Sequence, residues 1–173
     1  MHRVVPLSLL ALGLLNHPQA QAERAFFRSP PTRVSLHNPA SIEGERNRTT
    51  ISITVPHNAG AALEQVVLRQ LISPPRWDWG RRAPAVYRGP YALRSRPEQG
   101  EATALLFNRD ADVQIRLIPP AVPGETVNIV FRGINPDEGI YQWSTALIPQ
   151  GESPISSAGP TLRLHIQSFT PFP

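Results

Sequence analysis

The sequence predicts an all-β protein, an antiparallel immunoglobulin-like β-sandwich of about seven to nine short strands that follows a cleaved signal peptide. Beyond residue 22, no stretch keeps a 3.6-residue apolar period over three helical turns. Short apolar runs recur instead, and some alternate with polar residues as half-buried strands do. Many of the 20 Pro and 11 Gly stand between these runs, where they end one strand and turn the chain into the next.

Residues 1–22 have the three parts of a secretory signal peptide. A Met-His-Arg start is cationic, residues 4–15 are apolar, and Ala20-Gln21-Ala22 gives a small-x-small end, so we expect cleavage after Ala22. The apolar stretch has 12 residues, whereas a membrane-spanning helix needs about 20. We therefore expect an extracytoplasmic protein, periplasmic or released, without a transmembrane span.

Nine runs in the rest of the chain are predicted strands. Residues 49–55 are typical: Ile51, Ile53 and Val55 share one face and hydroxyl side chains share the other, as in a half-buried antiparallel strand. We expect a helical turn only at residues 58–64. The nine predicted strands are 33–36, 49–55, 65–72, 85–88, 102–107, 113–118, 126–131, 141–147 and 161–166.

Residues 113–147 predict two adjacent hairpin-like units. A strand, the turn segment P-P-A-V-P-G-E, a second strand, a loop and an aromatic-rich strand follow one another, as in the closing half of an immunoglobulin-like sandwich. Tyr141 is expected to tie the preceding loop as a corner tyrosine does. The predicted organisation is a signal peptide at 1–22, a lead-in segment at 23–48, the β-sandwich at 49–167 and a Pro-rich tail at 168–173.

Four motifs occur in a fixed order along the chain. They are V-P-x-x-A-G-x-x-L from Val55, P-G-x-T-V from Pro123, N-P-x-x-G-x-Y from Asn135 and P-x-G from Pro149. With these motifs, residues 49–167 resemble a family of exported cyanobacterial proteins known as a domain of unknown function. The resemblance implies an exported, mostly β domain and carries over no catalytic residue.

Positive charge is concentrated in one segment. Residues 69–96 hold seven Arg and a single acid, Asp78, and aromatic residues are interleaved with them. Guanidinium groups bind carboxylate, phosphate or sulfate, and aromatic rings stack on sugars. The segment therefore predicts a binding surface for an acidic partner, with the alternative that the tryptophans belong to the core. The candidate binding residues are Arg76, Trp77, Trp79, Arg81, Arg82 and Arg88.

One loop has the composition of a cation site. Asn108, Asp110 and Asp112 place three oxygen-bearing side chains at alternate positions, which could begin an atypical calcium loop. An EF-hand would need Gly and Glu where this chain has Val113 and Pro119. The alternative is a solvated hairpin turn.

The chain lacks Cys and Lys, which excludes disulfides, thiolate-held metals, thiol nucleophiles and Schiff-base lysines. We expect a non-catalytic binding or structural module of the periplasm or cell envelope. It would use no cofactor, bind an acidic envelope glycan or an envelope protein, and bind no nucleic acid. One alternative is an enzyme acting on envelope polysaccharide through paired carboxylates. Another is a structural module whose free edge strand pairs with a partner protein.

Cleavage after Ala22 can be tested in a bacterial host that exports the chain. Mass spectrometry of the extracytoplasmic fraction should show a chain beginning at Glu23. Ala22→Arg should leave the leader attached, because the residue before the cut must be small. Ala25→Arg, beyond the cut, should be processed normally. A chain that starts elsewhere, or that stays in the cytoplasm, would contradict the predicted leader.

Overall fold

The computed structural model describes residues 24–71, 76–94, 96–107, 109 and 111–169, and within them the protein is all-β. The predicted class is confirmed. No helix able to cross a membrane occurs among these residues. Their strands are β1 (Arg33–His37), β2 (Arg46–Asn47), β3 (Thr50–Thr54), β4 (Leu63–Gln70), β5 (Ala85–Arg88), β6 (Glu101–Phe107), β7 (Asp112–Ala121), β8 (Thr126–Val130), β9 (Gly133–Ile134), β10 (Gly139–Pro149), β11 (Ser157–Ala158) and β12 (Leu162–Ile166).

Ten strands form one antiparallel sheet that folds into two layers; nine of them follow a continuous path, and β12 pairs with β10 beside it. The first layer has the order β1-β3-β8-β5, and the second has the order β6-β7-β4-β10. The outer side of β10 pairs with β12 at residues 139–143 and with β11 at residues 146 and 147. In the strand ladders the two layers share one residue pair, Ala85 of β5 and Glu101 of β6, and an isolated parallel bridge joins Ile42 to Gln167. β2 and β9 form a separate two-stranded sheet.

One apolar core fills the space between the layers. Ile51 and Ile53 of β3 and Ile129 of β8 enter it from the first layer, while Leu68 of β4 and Ile115 of β7 enter it from the second. All five side chains are fully buried. Burying each one contributes about 1.5–3 kcal/mol to the free energy of unfolding, so the inward-facing side chains stabilise the sandwich.

Each of the nine predicted strands corresponds to a strand of four residues or more, and the others have two residues each. Three local predictions are wrong. Residues 58–64 form turns and the start of β4 rather than a helical turn. β7 continues through Pro119 and Pro120 to Ala121, where the ladder with β4 shifts register. The lead-in segment includes β1, which pairs with β3 along its whole length, so the sandwich begins before residue 49.

The predicted hairpin-like units are also wrong in their pairing. β7 pairs with β4 and β6 in the second layer, whereas β8 pairs with β3 and β5 in the first. The turn between them, at Pro123 and Gly124, is confirmed: the Gly124 N–H donates to the Val55 carbonyl at 2.9 Å. A turn can thus be correct in the sequence analysis while the strands that flank it enter different layers.

The outer face of the first layer is also covered, which a half-buried strand does not predict. Ser52 Oγ on β3 donates to Asn128 Oδ1 on β8 at 2.6 Å, and Asn128 Nδ2 donates to the Gly89 carbonyl at 2.7 Å. Arg48 Nη1 donates to the carbonyl of Ala92 at 3.1 Å. These bonds hold the loop that follows β5 over the polar face of β3 and β8.

Tyr141 is the corner tyrosine that the sequence predicts. Its Oη donates to the carbonyl of Asp137 at 2.7 Å, and its ring is fully buried. Burial, with a smaller effect of the Asp137 carboxylate, raises the pKa of Tyr141 from 10.0 to about 12. The folded protein therefore favours the neutral phenol, which donates the hydrogen bond.

Tyr141→Phe should lower the free energy of unfolding at neutral pH by about 1 kcal/mol, because one hydrogen bond is lost while the ring remains. The wild-type contribution is complete below pH 10 and decreases toward pH 12, since the unfolded tyrosine ionises first. The difference between variant and wild type should therefore shrink over that range in urea titrations. Tyr91→Phe removes a hydroxyl that makes no hydrogen bond with the described residues, and it is the control for the loss at neutral pH. Parallel curves for Tyr141→Phe and wild type would contradict this assignment.

Candidate functional site

The candidate site is built on residues 76–83, which we call the arginine loop and which lead from the second layer into β5. Arg76, Arg81 and Arg82 are exposed. Trp77 and Trp79 are only 1% exposed, so the prediction that their rings stack on a ligand is wrong and the core alternative is confirmed. The segment alternates as a strand does, with tryptophans inward and charged side chains outward.

The two tryptophan rings fasten the loop to both layers. Trp79 packs against Phe131, which follows β8, with ring centroids 5.0 Å apart, and against Trp143 of β10 at 5.7 Å. Trp77 packs edge-on against Tyr141 at 5.3 Å and against Trp143 at 5.4 Å. Such edge-to-face pairs add about 0.5–1.5 kcal/mol each beyond the burial of their area. The arginines that follow are therefore attached to a rigid base.

Asp78 and Gly80 fix the path of the backbone between the arginines. The Asp78 carboxylate accepts the N–H of Gly80 at 2.8 Å and that of Ile134 at 2.9 Å. Gly80 has a φ of +79°, and a Cβ there would overlap the carbonyl oxygen of Arg132. The only acid of the arginine-rich segment is thus bound to backbone N–H groups and is not paired with an arginine.

A cleft of about 310 Å³ lies between the arginine loop and β6. Arg81 and Arg82 lie on one side, Thr103 and Ala104 lie on the other, and Phe131 also lines the cleft. Its remaining lining residues are Gly80, Ala83 and Leu106. Neither arginine forms a salt bridge with any described residue. The cleft therefore combines an apolar lining with two guanidinium groups that have no acidic partner.

Arg88 does not belong to this site. Its guanidinium forms a salt bridge with Glu125, donates from Nε to the Gln99 carbonyl at 3.3 Å and donates from Nη2 to the Pro119 carbonyl at 2.9 Å. The side chain is 17% exposed. The prediction that Arg88 contacts a ligand is wrong, because its donors already hold β5 against the neighbouring turns.

The predicted calcium loop is only partly within the described residues. Asn108 and Asp110 lie outside them. Asp112 is buried, and its Oδ1 accepts the Gln70 N–H at 2.8 Å, which places it at the junction of β7 and β4. Within the described ranges, no three Asp, Glu or His side chains form a group that could hold a metal. The calcium site stays a prediction, and Asp112 has a structural role.

The described residues also include no pair of buried carboxylates. Asp112 is the one buried acid among them, and the other described acids are exposed or half-buried. The paired-carboxylate alternative stays a prediction.

Two larger clefts lie elsewhere. One, of about 500 Å³, includes Arg33 and His57. The other, of about 480 Å³, includes Arg24 and Arg28. Neither is lined by any residue of β6. Exposed arginines also line these two clefts. The arginine-loop cleft is distinguished by two consecutive exposed arginines that lie opposite β6.

Sequence reasoning found one side of the cleft and missed the other. The excess of arginine identified Arg81 and Arg82, but Thr103, Ala104 and Phe131 lie more than twenty positions away and carry no charge. The one available signal was the pair of small residues, Ala102 and Ala104, on β6. It became informative only when the fold placed β6 opposite the loop.

Gly80→Ala should lower the free energy of unfolding by about 2 kcal/mol or more, because the new Cβ meets the Arg132 carbonyl in addition to the cost of a positive φ. Gly44→Ala is the matched control: Gly44 has a φ of +75° and open space around it, so only about 1 kcal/mol is expected. Urea titration compares the two variants. Equal losses would show that the contact with Arg132 does not fix the arginine loop.

Solved structures with a similar fold include the following two. An uncharacterized protein from Nocardia farcinica, described as having an immunoglobulin-like fold, is 14% identical with a TM-score of 0.47, covering 77% of this chain and 96% of that one. The collagen-binding subdomain ACE19 of the Enterococcus faecalis surface protein ACE is 10% identical with a TM-score of 0.41, covering 80% and 99%. No curated protein matches the sequence.

A family model also matches the chain. The model described as "Protein of unknown function (DUF2808)" matches residues 24–166, a range that includes every strand described above. The predicted resemblance to a family of unknown function is confirmed. The cyanobacterial origin and the export of the protein stay predictions. The match begins at residue 24, which agrees with β1 being part of the sandwich. The chain belongs to the DUF2808 family.

Proposed function

We propose that this protein is an exported, non-catalytic binding module of the bacterial cell envelope whose arginine loop binds an anionic partner. The single observation that supports this most is the state of Arg81 and Arg82. Both are exposed at a cleft, and neither forms a salt bridge with the described residues. Two other arginines of the described chain form salt bridges, Arg88 with Glu125 and Arg116 with Glu64. Arg81 and Arg82 are distinguished by being consecutive and by lining the same cleft.

The rigid attachment of the loop supports binding as well. Trp77 and Trp79 hold the backbone on both sides of Asp78, and Gly80 fixes the turn into Arg81. A loop that is already ordered loses less conformational entropy when a ligand binds. The guanidinium groups are therefore presented in a nearly fixed place before any partner arrives.

The chemistry favours carboxylate, phosphate or sulfate groups. Arginine forms two parallel hydrogen bonds to each of these groups. With both tryptophans in the core, recognition depends on charge and hydrogen bonding, and stacking of sugars on these rings is not part of it. Export, which follows from the predicted leader, points to polymers or proteins of the envelope as partners.

The pair Arg81→Ala and Arg82→Ala should weaken binding to polyanions by about tenfold, since two charge-assisted contacts are lost. The measurement is the salt concentration at which the protein elutes from immobilised polygalacturonate and from immobilised polyglutamate, with neutral dextran as the blank. Arg94→Ala with Arg96→Ala removes the same charge from exposed positions outside the cleft and is the matched control.

We expect the control to elute close to the wild type and the Arg81/Arg82 variant to elute earlier from at least one polyanion. If both double variants elute together from both columns, net charge alone explains retention, and the proposed site is wrong.

A further inference from the structure

The side of β6 that faces the arginine loop is an unpaired sheet edge. β6 pairs with β7 at every residue from Glu101 to Phe107, but with β5 only where Glu101 meets Ala85. The backbone of residues 102–107 forms hydrogen bonds with β7, and with no other described residue. An edge of six residues spans about 20 Å and offers free N–H and C=O groups along that length.

The cleft opens because the two layers diverge after their one shared pair. β5 continues with β8 in the first layer, while β6 continues with β7 in the second. The arginine loop lies across the opening and leaves the 310 Å³ cleft between itself and β6. Ala104, Leu106 and Phe131 give the cleft an apolar lining, and Leu105, 64% exposed, stands beside it on the outer face.

We propose that this edge receives an extended acidic polypeptide, which adds a strand to β6 and places its carboxylates against Arg81 and Arg82. This inference rests on the proposed function and names the partner class for the same site. In a strand, alternate side chains point to opposite faces. Apolar residues of the partner would therefore pack on Ala104, Leu106 and Phe131, and acidic residues between them would reach the guanidinium groups at the mouth.

Charge selects this partner over a second copy of the chain. A second copy docking edge to edge would bring its own Arg81 and Arg82 to the same cleft, and like charges oppose that pairing. The acids nearest on either side in the sequence of this region do not neutralise the pair: Asp78 is bound to N–H groups, and neither Glu98 nor Glu101 forms a salt bridge with a described arginine. An acidic strand would pair with the N–H and C=O groups at the edge of β6 and would neutralise the charge of Arg81 and Arg82.

The experiment uses fluorescence anisotropy with a labelled nine-residue peptide of alternating Glu and Val as the probe. Two further peptides have the same sequence with alternate backbone nitrogens methylated, one peptide for each of the two alternating sets of nitrogens. Methylation keeps the charge and removes the N–H groups that pair with a neighbouring strand. A Lys-Val peptide reverses the charge, and polygalacturonate serves as a polyanion without a peptide backbone. Hydrogen exchange at residues 102–107 is measured with and without the Glu-Val peptide.

We expect the Glu-Val peptide to bind the mature chain, to bind at least tenfold more weakly when Arg81 and Arg82 are both Ala, and to bind normally to the Arg94/Arg96 control. The methylated peptides should bind at least tenfold more weakly than the parent, the Lys-Val peptide should not bind, and amides of residues 102–107 should gain protection. Because hydrogen exchange is measured on the unaltered chain, this result does not depend on whether a variant folds.

Other outcomes overturn the inference, and they separate it from the proposed function. Equal binding of parent and methylated peptides, or binding of the Glu-Val peptide without gain of protection in β6, would refute strand addition and leave an anion-binding loop. Concentration-dependent dimers that protect β6 without peptide would identify a second copy as the occupant. If no anionic probe distinguishes the Arg81/Arg82 variant from its control, both proposals fail.

Discussion

The structure depends on the burial of one aromatic cluster at the place where its two layers meet the arginine loop. Trp143 of β10 is contacted by Trp77, Trp79 and Tyr141, and Phe131 continues the contact into the first layer. The three indole N–H groups find no acceptor in the described part of the chain, so packing rather than hydrogen bonding holds the rings. Large rings in edge-to-face contact bury more area per residue than any other side chains here.

This packing explains why an unusually basic segment is also well ordered. In W-D-W-G-R-R, Trp77 and Trp79 anchor the backbone, and the same alternation directs Arg76 and Asp78 outward. Self-repulsion among arginines would normally favour an extended, mobile loop. Here the burial of two tryptophans outweighs that repulsion. Burying each ring stabilises the fold by more than the repulsion between water-screened surface charges destabilises it.

The divergence of β5 and β6 is the second constraint, and it gives the cleft its shape. A sandwich whose layers share one residue pair must separate beyond that pair, and the chain fills only part of the opening. Arg88, bound to Glu125 and to the Pro119 carbonyl, fixes the closed side of the junction. On the other side of the junction, Arg81 and Arg82 lie beside the unpaired edge of β6. Their charges oppose edge-to-edge pairing of β6 with a second copy of the chain.

The sequence by itself determined the strands and turns, since alternation in 49–55 and the turn at Pro123-Gly124 are local properties of neighbouring residues. It also located the excess of positive charge. Only the tertiary structure decided that Trp77 and Trp79 are core residues and that Arg88 forms a salt bridge with Glu125. It also decided that the consecutive strands β7 and β8 enter different layers. These outcomes depend on contacts between residues far apart in the chain, and no local pattern encodes which strand edge will face a given loop.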